Sequence, residues 1–217
     1  MGYSIKELFC SLQGEGYFTG RKAVFCRFSG CNLWSGRESD RASALCSICD
    51  TDFVGTDGPG GGRYQTAQAL AQAVLATWEA QSPDETGERF VVLTGGEPLL
   101  QVGAGLLEEF HARGFFVAVE TNGTRPLPIG SKGGCVDWVC VSPKPGTVLV
   151  LRGGDELKLL YPGEPPEQYA QLPFSHFYLQ PVDGENRLEN TAQAIQYCHR
   201  HPQWRLSIQT HKWLGIP

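Results

Sequence analysis

Three cysteines, Cys31, Cys46 and Cys49, form a Cys-x14-Cys-x2-Cys array. Thiolates are soft ligands, suited to zinc, copper(I) and iron–sulfur clusters. A pair two residues apart is shared by structural zinc sites and redox motifs. A third thiol is more informative. A [4Fe–4S] cluster usually takes four cysteine ligands, so three would leave one iron open to a cofactor or substrate. The competing arrangement adds Cys26, five residues before Cys31, and closes a tetrahedral zinc site of four thiolates. Against it, Cys26 falls inside the apolar strand pattern Ala23-Val24-Phe25-Cys26-Arg27-Phe28. The cysteines alone leave both arrangements open. Cys10, Cys135, Cys140 and Cys198 lie among apolar neighbours and read as plain buried or surface thiols.

Other polar groups cluster where strands should end. Thr94-Gly95-Gly96-Glu97-Pro98 follows an apolar run. Its two glycines allow close backbone approach to a ligand, while Glu97 would equally suit a helix start, where an acid is favoured. Ser142-Pro143-Lys144 and Gln180-Pro181-Val182-Asp183 also close apolar runs, the end at which α/β barrels place their functional groups. Thr51 follows the last cysteine pair, and on type alone it is as good a helix N-cap. Arg27 could grip a carboxylate with two parallel hydrogen bonds or be a surface strand residue, and His211 lies in what could be a frayed tail. The glycine-rich stretch 55–63 lacks the Lys-Ser/Thr of a phosphate-binding P-loop.

Positioning these groups requires an α/β scaffold. Apolar runs at 3–9, 23–28, 89–94, 115–121, 138–142, 156–160, 177–180 and 205–209 read as strands, alternating with helical patterns at 66–81, 101–113 and 189–201. Runs such as Phe90-Val91-Val92-Leu93 are apolar on both faces, as buried parallel strands are. The chain has 217 residues, against about 250 for a full eight-fold barrel. An incomplete (β/α) barrel with fewer helices than strands is expected, as one domain over 1–217 with an inserted loop or small helix at about 34–45. The net charge is -5 and the pI about 5.5, without the basic run of a nucleic-acid binder. No segment nears the ~20 apolar residues of a membrane helix, and the first residues lack the apolar stretch of a signal peptide. A soluble, cytoplasmic protein with a small-molecule ligand and no disulfides is expected.

Arg27-Phe28-Ser29-Gly30-Cys31-Asn32-Leu33 and Cys46-Ser47-Ile48-Cys49-Asp50-Thr51 resemble the two ends of a radical S-adenosylmethionine (SAM) cluster loop, and Thr94-Gly95-Gly96-Glu97-Pro98 resembles that superfamily's GGE motif. With Leu12-Gln13-Gly14-Glu15-Gly16, Ser142-Pro143-Lys144 and the closing Thr210-His211-Lys212-Trp213-Leu214-Gly215-Ile216-Pro217, the set resembles the 7-carboxy-7-deazaguanine synthase family over nearly the whole chain. It departs from the superfamily in cluster spacing, with fourteen residues between the first two cysteines where the superfamily usually has three. Lengthening a loop costs only about 0.6 kcal/mol per doubling, so the insertion bears on reductant docking rather than on the cluster.

The resemblance implies six parallel strands, three core helices and a homodimer. It implies a [4Fe–4S] cluster on the catalytic cysteines Cys31, Cys46 and Cys49, whose open iron chelates SAM. SAM contacts would come from Ile48, Cys49, Asp50, Gly95, Gly96, Glu97, Ser142, Pro143, Lys144, Gln180, Pro181, Val182 and Asp183. Thr51 would help hold Mg²⁺. The implied substrate is 6-carboxy-5,6,7,8-tetrahydropterin, bound by Leu12, Gln13, Gly14, Glu15, Arg27, Thr94, His211 and Pro217, and converted to 7-carboxy-7-deazaguanine by radical ring contraction with loss of ammonia. An electron donor such as flavodoxin is implied as partner. Two other readings compete: a radical SAM activase of a glycyl-radical enzyme, and a zinc-binding module using Cys26.

Overall fold

In the computed structural model, which describes residues 2–81, 87–129 and 135–217, two long strands open the chain. β1 (Tyr3–Leu12) and β2 (Lys22–Phe28) pair antiparallel, with Leu8 opposite Cys26. The short β3 (Gly62–Tyr64) adds antiparallel to the free side of β1. Every later pairing is parallel. These strands are β4 (Arg89–Gly95), β5 (Phe115–Thr121), β6 (Trp138–Val141), β7 (Gly154–Tyr161), β8 (Phe174–Pro181) and β9 (Trp204–Leu206). The sheet order is β3-β1-β2-β4-β5-β6-β7-β8-β9. The helices are α1 (Ala67–Glu79), α2 (Ala104–His111), α3 (Arg187–Arg200) and the short α4 (Thr210–Leu214). Thr66 caps α1 by accepting from the Ala69 N–H, as its position predicts.

Successive strand side chains point to opposite faces, and the two faces differ sharply here. One carries Val91 and Leu93, Val117 and Val119, Val139 and Val141, Leu157 and Leu159, and Leu179, all buried. The longer helices cover it: Trp78 of α1 and Phe110 of α2 both meet Phe115, and Tyr197 of α3 meets Trp204. The other face changes character along the strands. At their N-terminal ends Phe90, Phe116 and Trp138 pack around Phe18 from the β1–β2 connection, with ring centroids 4.7 to 5.8 Å from it. The Arg21 guanidinium sits 4.3 Å over Phe90, a cation–π contact. At the C-terminal ends the same face presents Thr94, Glu120, Lys158 and Gln180.

The mixed α/β architecture with a large, mostly parallel sheet agrees with the sequence. Seven strands run parallel rather than about six, and nine are present among the described residues. β3 emerges from the glycine-rich stretch read as loop, because three residues are too few to show an alternating pattern. α4 was not expected from sequence. The insertion at 34–45 contains a 3₁₀ helix over Glu38–Ser43.

Candidate active site

The site begins where β2 and β4 end side by side. Gly95 has φ +122°, and a Cβ there would lie 2.3 Å from the Phe28 carbonyl oxygen. A Cβ on Gly96 would lie 2.1 Å from the Gly30 carbonyl oxygen and 3.0 Å from Cys31 Cβ. Gly96 N donates to Phe28 O at 3.2 Å and Glu97 N to Gly30 O at 2.9 Å. The two glycines thus seat the cysteine loop on the end of β4. Glu97 is fully buried and accepts from Leu99 N, Thr121 Oγ1 and Asn122 N at 2.8 to 2.9 Å. Burial pushes its carboxyl up, against those hydrogen bonds. It braces the turn and does not reach the cavity beyond.

That cavity, about 360 Å³, is lined by all three motif cysteines, and its size is that of a small-ligand site. The insertion folds back to hold the second half of the cysteine loop. Arg41 stacks 4.1 Å from the Trp34 ring and donates to the carbonyls of Ser47 (2.9 Å) and Cys49 (3.0 Å). Trp34 in turn meets Phe53 edge-on. The hydrogen bond from Cys46 pulls the Cys49 thiol down to about 6 despite burial, and the same bond pushes Cys46 up. Burial raises Cys31. Cys26 is fully buried on the opposite face of β2 from the cavity-lining Phe25 and Arg27, within the hydrophobic core, so it cannot join the other three. Among the described residues no three His, Cys, Asp or Glu side chains converge tightly enough for a single metal ion. The zinc arrangement is overturned by the position of Cys26, which leaves three thiols lining one cavity.

Deeper in, the β1–β2 connection reaches across the sheet. Glu15 Oε2 lies 2.5 Å from Lys158 Nζ, and Glu15 Oε1 accepts from Gln180 (3.1 Å) and Gln209 (2.9 Å). Gln13 donates to Glu120 Oε1 at 3.1 Å, and Thr94 donates to Glu120 Oε2 at 2.9 Å. Burial alone would raise Glu15, but Lys158, with Gln209 and His211, holds it down at about 2. Gly14 leaves room for His211: a Cβ there would lie 2.1 Å from its Nδ1. Thr210 N donates to Gly14 O at 2.9 Å, docking α4 over the opening. Arg27 lines the cavity with its Nε 2.7 Å from Glu7 Oε1. Ser11 Oγ donates to Pro217 O at 2.8 Å, and Lys144 Nζ donates to Ser142 Oγ at 2.7 Å.

Leu12, Gln13, Gly14, Glu15, Arg27, Ile48, Asp50, Thr51, Thr94, Gly95, Gly96, Ser142, Lys144, Gln180, His211 and Pro217 all line this cavity with the cysteines. Glu97, Pro143, Pro181, Val182 and Asp183 do not. Asp183 instead shares Lys212 with Asp50, at 2.8 and 2.6 Å. Sequence reasoning missed Glu120, Lys158, Gln209 and Lys212. The first two had a signal: Glu156-Leu157-Lys158-Leu159 alternates charge and leucine inside a strand, and Glu120 follows a buried run. Charge at period two within a buried strand marks a polar interior face. Lys212 stood in the closing motif without an assigned role, and Gln209, just before that motif, had no signal, since only the path of the tail brings it here.

No protein-family model matches the chain. It is 58% identical to a 7-carboxy-7-deazaguanine synthase of Bordetella pertussis and 59% identical to one of Bradyrhizobium diazoefficiens, each over 100% of both chains. Among solved structures it resembles QueE from Escherichia coli, with a TM-score of 0.68 and 27% identity over 96% of this chain and 94% of that one.

Proposed function

The chain belongs to the 7-carboxy-7-deazaguanine synthase family, and from that membership we propose that it converts 6-carboxy-5,6,7,8-tetrahydropterin to 7-carboxy-7-deazaguanine in queuosine and deazapurine biosynthesis. One observation carries this for the chain's own residues: three thiols and a buried ring of hydrogen-bonding side chains line the same cavity. Cys31, Cys46 and Cys49 would hold a [4Fe–4S] cluster, thiolates being its usual ligands. When bound, the cluster and SAM would supply the radical chemistry that the ring contraction of the pterin requires.

The protein's part is to bind, orient and exclude water. The Gly95–Gly96 backbone, Ser142 and Lys144 take the SAM amino-acid and ribose groups, with Ile48, Asp50 and Gln180 alongside and Pro181, Val182 and Asp183 behind Gln180, outside the cavity lining. Glu97 serves SAM through the turn it braces. Leu12, Gln13, Gly14, Glu15, Thr94, His211 and Pro217 meet the pterin, and Arg27 faces its carboxylate. Thr51 contributes to a Mg²⁺ site, which with few protein ligands would lean on the substrate carboxylate. The sheet curls into an incomplete barrel, a reading supported by the reach of Gln13 and Glu15 to β5, β7 and β8. The working protein is a cytoplasmic homodimer, a single domain that takes electrons from a donor such as flavodoxin. A glycyl-radical activase would leave Gln13, Glu15 and Arg27 in the cavity without a role.

The test is anaerobic reconstitution with iron and sulfide beside Cys31→Ala, followed by turnover of the pterin with SAM, Mg²⁺ and reductant. The expected parent is brown with about four irons and forms the deazaguanine, and the variant does neither. A colourless, zinc-loaded parent, or an intact cluster without turnover, would reject the proposal.

A further inference from the structure

One lysine faces three carboxylates at the floor of the cavity. Lys158 is 6% exposed, and its ammonium lies 2.5 Å from Glu15 and 3.8 Å from Glu120. Glu156, two positions earlier on β7, shares that face one layer deeper and accepts from Tyr17 N (3.2 Å) and Trp138 Nε1 (3.3 Å). Cys140 comes in from β6, and His211 of α4 acts on Glu15 through its charge. Both oxygens of Glu15 and both of Glu120 are already engaged by Lys158, Gln180, Gln209, Gln13 and Thr94. Those bonds fix their orientation and leave acceptor capacity on both residues, which line the cavity, because an ionised carboxylate has about four acceptor sites. Two carboxylates in one dry pocket would repel each other and take up protons unless a cation stood between them.

We infer that Lys158 is a positioning residue for substrate recognition: it holds Glu15 by direct contact and sets its charge against Glu120, so that the cavity floor offers paired acceptors to the amino- and imino-hydrogens of the pterin's pyrimidine ring. The inference rests on the functional reading above. Lys158 gives a hydrogen bond to Glu15, and its charge faces Glu120 across 3.8 Å, so its first partners are the two carboxylates. Burial would lower its ammonium, but Glu15 and Glu120 hold it well above the usual lysine range, so it stays charged at any working pH. Glu15 likewise stays ionised from pH 5 upward. Without Lys158 burial takes over, the carboxyl rises, and acceptor strength is lost as pH falls.

The experiment measures pterin affinity by calorimetry on the reconstituted enzyme with SAM and without reductant, from pH 5.5 to 8.5. It compares the parent with Lys158→Arg, Lys158→Met and the double variant Glu15→Gln/Lys158→Met. The parent is expected to show a flat profile. Lys158→Met should bind roughly 30-fold more weakly at pH 7, the scale of stranding one partner of a buried charge pair, with the deficit widening towards acid and the iron content unchanged. Lys158→Arg should recover part of the affinity. The double variant should regain thermal stability but not affinity, which separates recognition from folding. A Lys158→Met enzyme that binds within about threefold of the parent with a flat profile overturns the inference, as does a double variant that regains affinity. A parent that does not bind the pterin overturns the functional reading as well.

Discussion

The glycines of the site are spacers for other residues. Gly14 makes room for the His211 ring, and Gly95 and Gly96 for the cysteine loop. Gly14→Ala should therefore swing His211 out of the cavity without touching the cluster. Its expected effect is a rise in KM for the pterin of about tenfold, the ~1.4 kcal/mol of one displaced hydrogen bond, at unchanged iron content. Steady-state kinetics beside iron analysis would check this, and loss of iron would show that the glycine serves the cysteine loop instead. At this scale the sequence was legible wherever residues stood in motifs. Gly95 and Gly96 stood out as glycines, but what presses against them is a carbonyl some sixty-five positions earlier in the chain, which no local pattern reports. Glu97 shows the reverse. Its type pointed to a ligand group, and what its surroundings add is burial and hydrogen bonds from Thr121 and Asn122 that brace the turn.

Among the elements, the insertion and the tail carry most of what sequence reasoning left open. Residues 34–45 look like a polar loop because most are exposed, and the hold on the cysteine loop comes from one arginine and the tryptophan beneath it. Arg41 grips two carbonyls of the cysteine loop and lies flat on Trp34. Arg41→Ala should leave thermal stability nearly unchanged, since surface substitutions usually cost under about 0.5 kcal/mol, yet speed iron loss to a chelator severalfold. Equal rates in parent and variant would reduce the insertion to a bystander. α4 was illegible for a different reason. Helices this short do not persist alone, and its hold comes from distant partners: Gly14 O for Thr210, and Asp50 and Asp183 for Lys212. Removing residues 210–217 should abolish pterin binding while the cluster still forms, as visible absorption and calorimetry would report. Retained binding would mean that the tail only decorates the opening.

Taken whole, the molecule uses one sheet for two purposes. The helix-covered face is aliphatic and holds the structure together, and its buried runs were the clearest signal in the sequence. The other face divides along its length into aromatic and polar halves. That division was not legible, because it depends on which strands lie side by side, and periodicity says nothing of strand order. Phe90 sits at the centre of the aromatic half, against Phe18, Phe116 and Arg21. Phe90→Ala should cost about 3–5 kcal/mol of stability, seen as a lower urea midpoint. A loss below about 1 kcal/mol would imply that the neighbouring rings close over the gap.

The nine strands do not close on themselves, and the sheet ends in β3 on one side and β9 on the other, each three residues long. An open border of backbone amides and carbonyls is a template on which another chain can add a strand. Here the outermost strand on each side is only three residues long, pairing Tyr3–Ile5 of β1 and Phe177–Leu179 of β8. A second copy meeting β3 or β9 would find few backbone partners there, which works against edge-on aggregation at these two strands. Hydrogen exchange can read this directly: the outward amides of β3 and β9 should exchange fast at every protein concentration. Protection that grew with concentration would reveal a sheet running from one copy into the next.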